Sequence, residues 1–207
     1  MSKRIIDTIP RLAGRFGHTP THLWDHFYFL KISDELYEES QALAKRISDI
    51  SRGKKTQLLS ENADLIGKTG EFVVREFCRQ YLTCAWSSMV EEVNSTGGDA
   101  HDLDICGLGI DVKTRQLHAD LIISPNFDLR VPQTELSKYQ DVYILAGFCP
   151  TSMYGYVLGW CTWEELQSQP IRTDIKFPAK CVALSELHPM LELETYILKT
   201  SGESNGI

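Results

Sequence analysis

Five ionisable residues crowd into fourteen positions near the middle of the chain: Asp102, Asp104, Asp111, Lys113 and Arg115. The segment HDLDIC alternates Leu103 and Ile105 against Asp102 and Asp104, and GIDVKTR alternates Ile110, Val112 and Thr114 against Asp111, Lys113 and Arg115. Period-two alternation on both sides of a Gly-rich link, Gly107-Leu108-Gly109, predicts a β-hairpin with one charged face. Carboxylates packed on one strand face repel unless a cation lies between them, and a hard divalent ion such as Mg²⁺ takes oxygen ligands of this kind. Lys113 stands one strand repeat from Asp111, about 6.6–6.8 Å along the chain. An ammonium there suits contact with an attacking water or a phosphate oxygen. Phosphodiester hydrolysis requires a metal that activates water and positive charge for the developing phosphorane. The same spacing also fits an exposed strand face whose charges pair as surface salt bridges.

The elements around the hairpin follow from shorter-range signals. Ser33-Asp34-Glu35 reads as a hydroxyl cap with acids in the first turn, predicting a helix to about Ser51 with Leu36, Leu43, Ile47 and Ile50 on one side. A second helix is expected over residues 67–82. There Val73, Val74, Phe77, Cys78, Tyr81 and Leu82 share an apolar arc with Glu71 at its edge. Glu71 either needs a partner or a metal, or complements the dipole of the first turn. GKTG lacks the upstream glycine of a phosphate loop. Residues 84–93, 141–149, 153–161 and 179–184 read as strands, and Thr162 with Glu165 forms a capping box for a short helix. Residues 119–140 contain Pro125 and Pro132, and only PQTELSKY within them has helical character.

Composition excludes several classes. The chain has 207 residues, 43% hydrophobic and 24% charged, ordinary for a globular protein. No apolar run approaches a membrane span, and the basic N-terminus lacks the apolar core of a secretory leader. The six cysteines form no C-x-x-C pair and no zinc pattern with His, so reduced, mostly buried thiols in a cytoplasmic protein are expected. His18, His22 and His26 are four apart, but Pro20 interrupts any shared helix and aromatic packing is the simpler reading. The net charge of −7 argues against nonspecific coating of nucleic acid. Its distribution is uneven: residues 1–65 carry a net +1 and residues 66–207 a net −8. Arg46, Arg52, Lys54 and Lys55 cluster at the end of the first helix. They read either as a solvated helix end or as contacts to phosphates. The aromatic stretch before that helix offers a surface for a second copy, so a homodimer is possible.

The acid, gap, Asp-x-Lys pattern on two adjacent strands resembles the PD-(D/E)xK nuclease superfamily, whose fold is restriction-endonuclease-like. Here it runs Asp104, then Asp111-Val112-Lys113, after a helix bearing Glu71 in GKTGEFVVREF. Leu103 stands where the family has its proline, so Asp102 or Asp99 is an alternative first acid. The resemblance spans about residues 66–192 and does not cover the first 65; it implies an α/β fold, a mixed central sheet flanked by helices, for a domain over residues 66–200. Residues 1–65 would form an N-terminal helical extension for DNA contact or dimerisation. It also implies a Mg²⁺ (or Mn²⁺) ion held by Asp104, Asp111, the Val112 carbonyl and Glu71, with Lys113 orienting or deprotonating the water. Gln116 would support the site; the uneven charge, and not the resemblance, marks Arg52, Lys54 and Lys55 as expected DNA contacts, and Arg115 joins them from the charged strand face. The implied activity is metal-dependent hydrolysis of nucleic-acid phosphodiesters, foremost DNA endonuclease action, in a prokaryotic or phage-like setting. The alternative is a silent nuclease-like module that binds DNA or protein.

Overall fold

The structure, a computed structural model, describes residues 27–52, 61–83, 86–88, 101–117 and 127–204. Its largest element is a six-stranded mixed sheet in the order β1-β7-β6-β4-β3-β2. These strands are β1 (Tyr28–Lys31), β2 (Trp86–Ser88), β3 (Leu103–Ile105), β4 (Leu108–Gln116), β6 (Val142–Cys149) and β7 (Tyr154–Thr162). Neighbours are antiparallel except β4 and β6, which run parallel. A second, three-stranded antiparallel sheet has the order β5-β9-β8, from β5 (Asp128–Pro132), β8 (Ile171–Arg172) and β9 (Ala179–Ala183). The chain is thus α/β, with helices packed on a mixed sheet.

Helix α1 (Asp34–Arg52) starts as its cap predicts: the Ser33 hydroxyl accepts the Leu36 N–H at 3.2 Å. Helix α2 (Glu61–Tyr81) begins six residues before the expected start. Its Phe72, Val73, Val74, Phe77 and Cys78 are buried, each large side chain contributing about 1.5–3 kcal/mol of transfer free energy. Arg75 of α2 pairs with Glu39 of α1 at 3.2 Å, and Phe72 packs with Leu43. The expected domain boundary after residue 65 therefore falls inside α2, and β1 pairs with β7 within the main sheet.

β6 is buried along its whole length because both of its faces are covered. Ile144, Ala146 and Phe148 join Val73, Phe77, Ile110 and Val112 under α2, together with Leu193 and Ile197 of α4 (Met190–Ser204). Tyr143 and Leu145 face the other way, into a cluster with Val131, Leu129 and Val182 of the small sheet. Ile110 and Val112 of β4 belong to the first cluster, so Asp111, Lys113 and Arg115 face the small sheet by alternation. Helix α3 (Trp163–Ser168) carries the expected capping box, with Glu165 N–H to Thr162 Oγ1 at 3.2 Å and Thr162 N–H to Glu165 Oε2 at 2.8 Å. Among the described residues no helix is long and apolar enough to cross a membrane, and the described cysteines form no disulfide.

Candidate active site

The β3–β4 hairpin turns on two residues, Cys106 and Gly107, since Ile105 pairs with Leu108. Both have positive φ, 53° and 84°, as a two-residue turn matched to strand twist requires. The loop is one step earlier than the Gly107-Leu108-Gly109 link expected from composition. That shift decides which aspartate does what. Asp104 lies beside the turn, and its Oδ1 accepts the Gly107 N–H at 3.0 Å. Its carboxylate is committed to the turn and is not brought to the other acids. Asp102 continues the hairpin beyond β3: its N–H donates to the Ile110 carbonyl at 3.0 Å, and its Oδ2 accepts the Val112 N–H at 2.7 Å. The first acid of the cluster is therefore Asp102, and Asp104 serves as a turn residue.

Asp111 and Lys113 stand together on β4. Lys113 Nζ lies 2.8 Å from Asp111 Oδ2 and 3.1 Å from Oδ1, and 2.8 Å from Glu135 Oε2. Glu135 comes from the short 3₁₀ turn Gln133–Glu135 that follows β5. Burial works against the Lys113 charge, but Asp111 and Glu135 outweigh it and hold the ammonium well above its ordinary value. Burial raises the Asp111 carboxyl, opposed by Lys113. The contact from Lys113 to Oδ2 lacks hydrogen-bond alignment, so this buried oxygen accepts no hydrogen bond.

Glu71 enters from the opposite side. Gly70 makes that possible: a Cβ there would meet Thr114 Oγ1 at 1.9 Å, so only glycine lets α2 lie so close to β4. Glu71 is buried at 6% exposure and accepts a 2.6 Å hydrogen bond from Lys68 Nζ, one helical turn earlier. With the helix starting at Glu61, Glu71 sits in mid-helix and the first-turn dipole reading fails. Burial, then the charge of Asp102, pushes the Glu71 carboxyl up, with Lys68 opposing. Asp102 is raised by burial and by Asp111. Four carboxylates (Glu71, Asp102, Asp111, Glu135) share this region with three ammonium groups (Lys68, Lys113, Lys138). Fully ionised, the group carries one negative charge in excess.

Asp102, Asp111, Lys113 and Glu135 line a small cleft that also includes His101 and Gln140. His101 Nδ1 is 2.6 Å from Gln140 Oε1, and its ring occupies the space that a Cβ at Gly109 would need. Among the described residues, no group of three or more His, Cys, Asp and Glu forms a ready metal cage. The donor set still fits a hard divalent ion: oxygen ligands, excess negative charge, and the unsatisfied, buried Asp111 Oδ2.

The remaining expected residues fall elsewhere. Arg115 is drawn to Asp128 of β5, at 2.7 Å. Gln116, the last residue of β4, is exposed. Val112 is buried, with its N–H on Asp102. Arg52 is the final residue of α1, while the Arg52 side chain, Lys54, Lys55, Asp99 and the three N-terminal histidines lie outside the described residues. Lys68, Glu135 and His101 were not anticipated. Lys68 alone had a local signal, its three-residue spacing from Glu71. No protein-family model matches the chain, and no curated protein matches it as a relative.

Proposed function

We propose that the protein is a metal-dependent nuclease of the PD-(D/E)xK type that hydrolyses phosphodiester bonds in DNA. The observation that carries this reading is that Asp102, Asp111 and Lys113 line one cleft, with one Asp111 oxygen accepting no hydrogen bond and the buried Glu71 close enough to feel the charge of both aspartates. Asp102 and Asp111 would hold Mg²⁺ or Mn²⁺, joined by the Val112 carbonyl and by Glu71 directly or through water. A divalent ion in such a site lowers the pKa of a water molecule and offsets charge on the phosphate.

The chain's own residues supply the rest. Asp111 and Glu135 favour the ammonium form of Lys113, which suits orienting water or a phosphate oxygen. Lys68 fixes Glu71 in place. The Asp102–Val112 hydrogen bond fixes the two strands at the depth where both aspartates face one cleft.

Incubation of the purified chain with plasmid, linear and branched DNA in Mg²⁺, Mn²⁺ or EDTA tests the reading. Cleavage in the metal arms alone supports it. Metal-independent DNA binding without cleavage would favour a silent module. The Lys68–Glu71 and Lys113–Asp111 pairs give that second reading its one specific support, since ammonium groups already balance two of the acids.

A further inference from the structure

A second charged cluster lies at the Arg115 end of β4. Asp128, the first residue of β5, is 4% exposed. Its Oδ1 accepts hydrogen bonds from Arg115 Nη1 at 2.7 Å and Arg130 Nε at 2.5 Å, and its Oδ2 accepts one from Arg172 Nη1 at 3.3 Å. Three strands from two sheets each send one guanidinium to a single carboxylate. Arg172 is also gripped by Asp174, through Nε at 3.1 Å and Nη2 at 2.6 Å. Three guanidiniums thus face two carboxylates, leaving local positive charge in a chain whose net charge is −7.

A buried carboxylate that served only to staple the sheets would need one bidentate arginine. All three arginine side chains stay partly exposed, 31%, 35% and 42% for Arg115, Arg130 and Arg172. Among the described residues Arg130 donates from its side chain through Nε alone, which leaves its Nη edge available. Arg115 is steadied over the Phe127 ring, 5.0 Å from its centroid. Planar guanidiniums held in fixed directions suit the oxygens of a phosphodiester. Arg115 also shares its strand face with Lys113, two residues away, about 6.6–6.8 Å. That spacing is comparable to the separation of neighbouring phosphates along one nucleic-acid strand.

We propose that Arg115, Arg130 and Arg172, oriented by Asp128, form a phosphate subsite that holds the DNA backbone next to the phosphate at Lys113. Its register along the strand rests on the nuclease reading, while its affinity for backbone does not.

The test compares two doublets that remove the same charge. Arg130→Ala/Arg172→Ala alters the subsite, and Arg79→Ala/Lys199→Ala alters exposed positions on α2 and α4. Binding to a labelled DNA duplex is measured by fluorescence anisotropy in EDTA across a salt series, with melting by circular dichroism as a check on folding. The subsite doublet is expected to bind about tenfold or more weakly, with a log–log salt slope shallower by about one for each phosphate no longer neutralised. The other doublet is expected to stay within about twofold of the parent. Arg130→Lys/Arg172→Lys, which keeps the charge, retains the slope and covers the case of a misfolded alanine doublet. Equal weakening in both alanine doublets, unchanged affinity in the subsite doublet, or a parent chain that does not bind DNA would overturn the proposal. Tighter binding to duplex RNA would overturn the assignment to DNA. A parent that fails to cleave in Mg²⁺ but shows the expected binding pattern removes the nuclease reading and leaves the subsite standing.

Discussion

Gly70 of α2 and Thr114 of β4 touch so closely that a Cβ on Gly70 would sit 1.9 Å from the Thr114 hydroxyl oxygen. The contact sets the distance between helix and sheet at the one residue next to Glu71. Gly70→Ala must push α2 outward or displace Thr114. Glycine in a helix interior is otherwise unfavourable by roughly 0.5–1 kcal/mol relative to alanine. Here the overpacking cost of about 1–3 kcal/mol wins. Urea denaturation should show the variant less stable, and activity should fall further than the stability loss alone accounts for.

The hairpin separates two aspartates that pattern alone would treat alike. Asp102→Asn should abolish metal-dependent cleavage, a loss of at least about a hundredfold, comparable to removing a group that stabilises transition-state charge. Asp104→Asn should keep cleavage and cost at most about 1 kcal/mol, the worth of one turn hydrogen bond. Rate measurements on a plasmid substrate decide between them. Full activity in the Asp102 variant would remove Asp102 from the site.

Divalent metal should stabilise the folded chain, because the ion binds the gathered carboxylates and not the unfolded chain. At ten times the dissociation constant the gain is about 1.4 kcal/mol. Thermal melts in EDTA and in Mg²⁺ measure it. Asp111→Asn should abolish the gain and should not raise stability in EDTA, since it takes from Lys113 one of its two carboxylate partners.

Acid should weaken the α3 cap. Burial raises the Glu165 carboxyl, but the Thr162 N–H and His188 outweigh it, and the net shift is below the ordinary value of 4.5. A depressed carboxyl contributes stability above its unfolded pKa and loses it as pH falls through the folded value. Glu165→Gln keeps the capping geometry and removes the charge. The parent should exceed this variant at pH 6, and the difference should vanish as pH drops well below 4.5. The side chain is 43% exposed, so solvent screening limits the effect to about 0.5 kcal/mol. Urea midpoints at a series of pH values provide the measurement.

Local signals were legible in the chain. The Ser33 cap, the Thr162–Glu165 box, the apolar arc of α2 and the fully apolar β6 each depend on residues within a few positions of one another. Long-range pairings were not. β1 is a strand because β7 offers it an edge, and β5 because β9 does, despite the proline that closes it. The site divides the same way. Asp111 and Lys113 follow from alternation on one strand. Asp102 could not be told from Asp104 without the turn at Cys106, whose positive φ nothing in its side chain announces. Glu135 reaches Lys113 only because β5 returns beside β4.

The two-residue turn at Cys106–Gly107 acts as a ruler. Counting three residues along each strand from the Ile105–Leu108 pair sets Asp102 opposite Asp111, and the Asp102 carboxylate takes the N–H of the next residue, Val112. One inserted residue would slide β3 by a single step against β4, and a single step exchanges the two faces of a strand. Leu103 and Ile105 would then turn toward the cleft, and Asp102 toward the apolar layer under α2. Over this stretch the chain can therefore change in residue type far more freely than in length. Related chains that share the hairpin should differ by substitution between residues 102 and 112 and carry their insertions elsewhere.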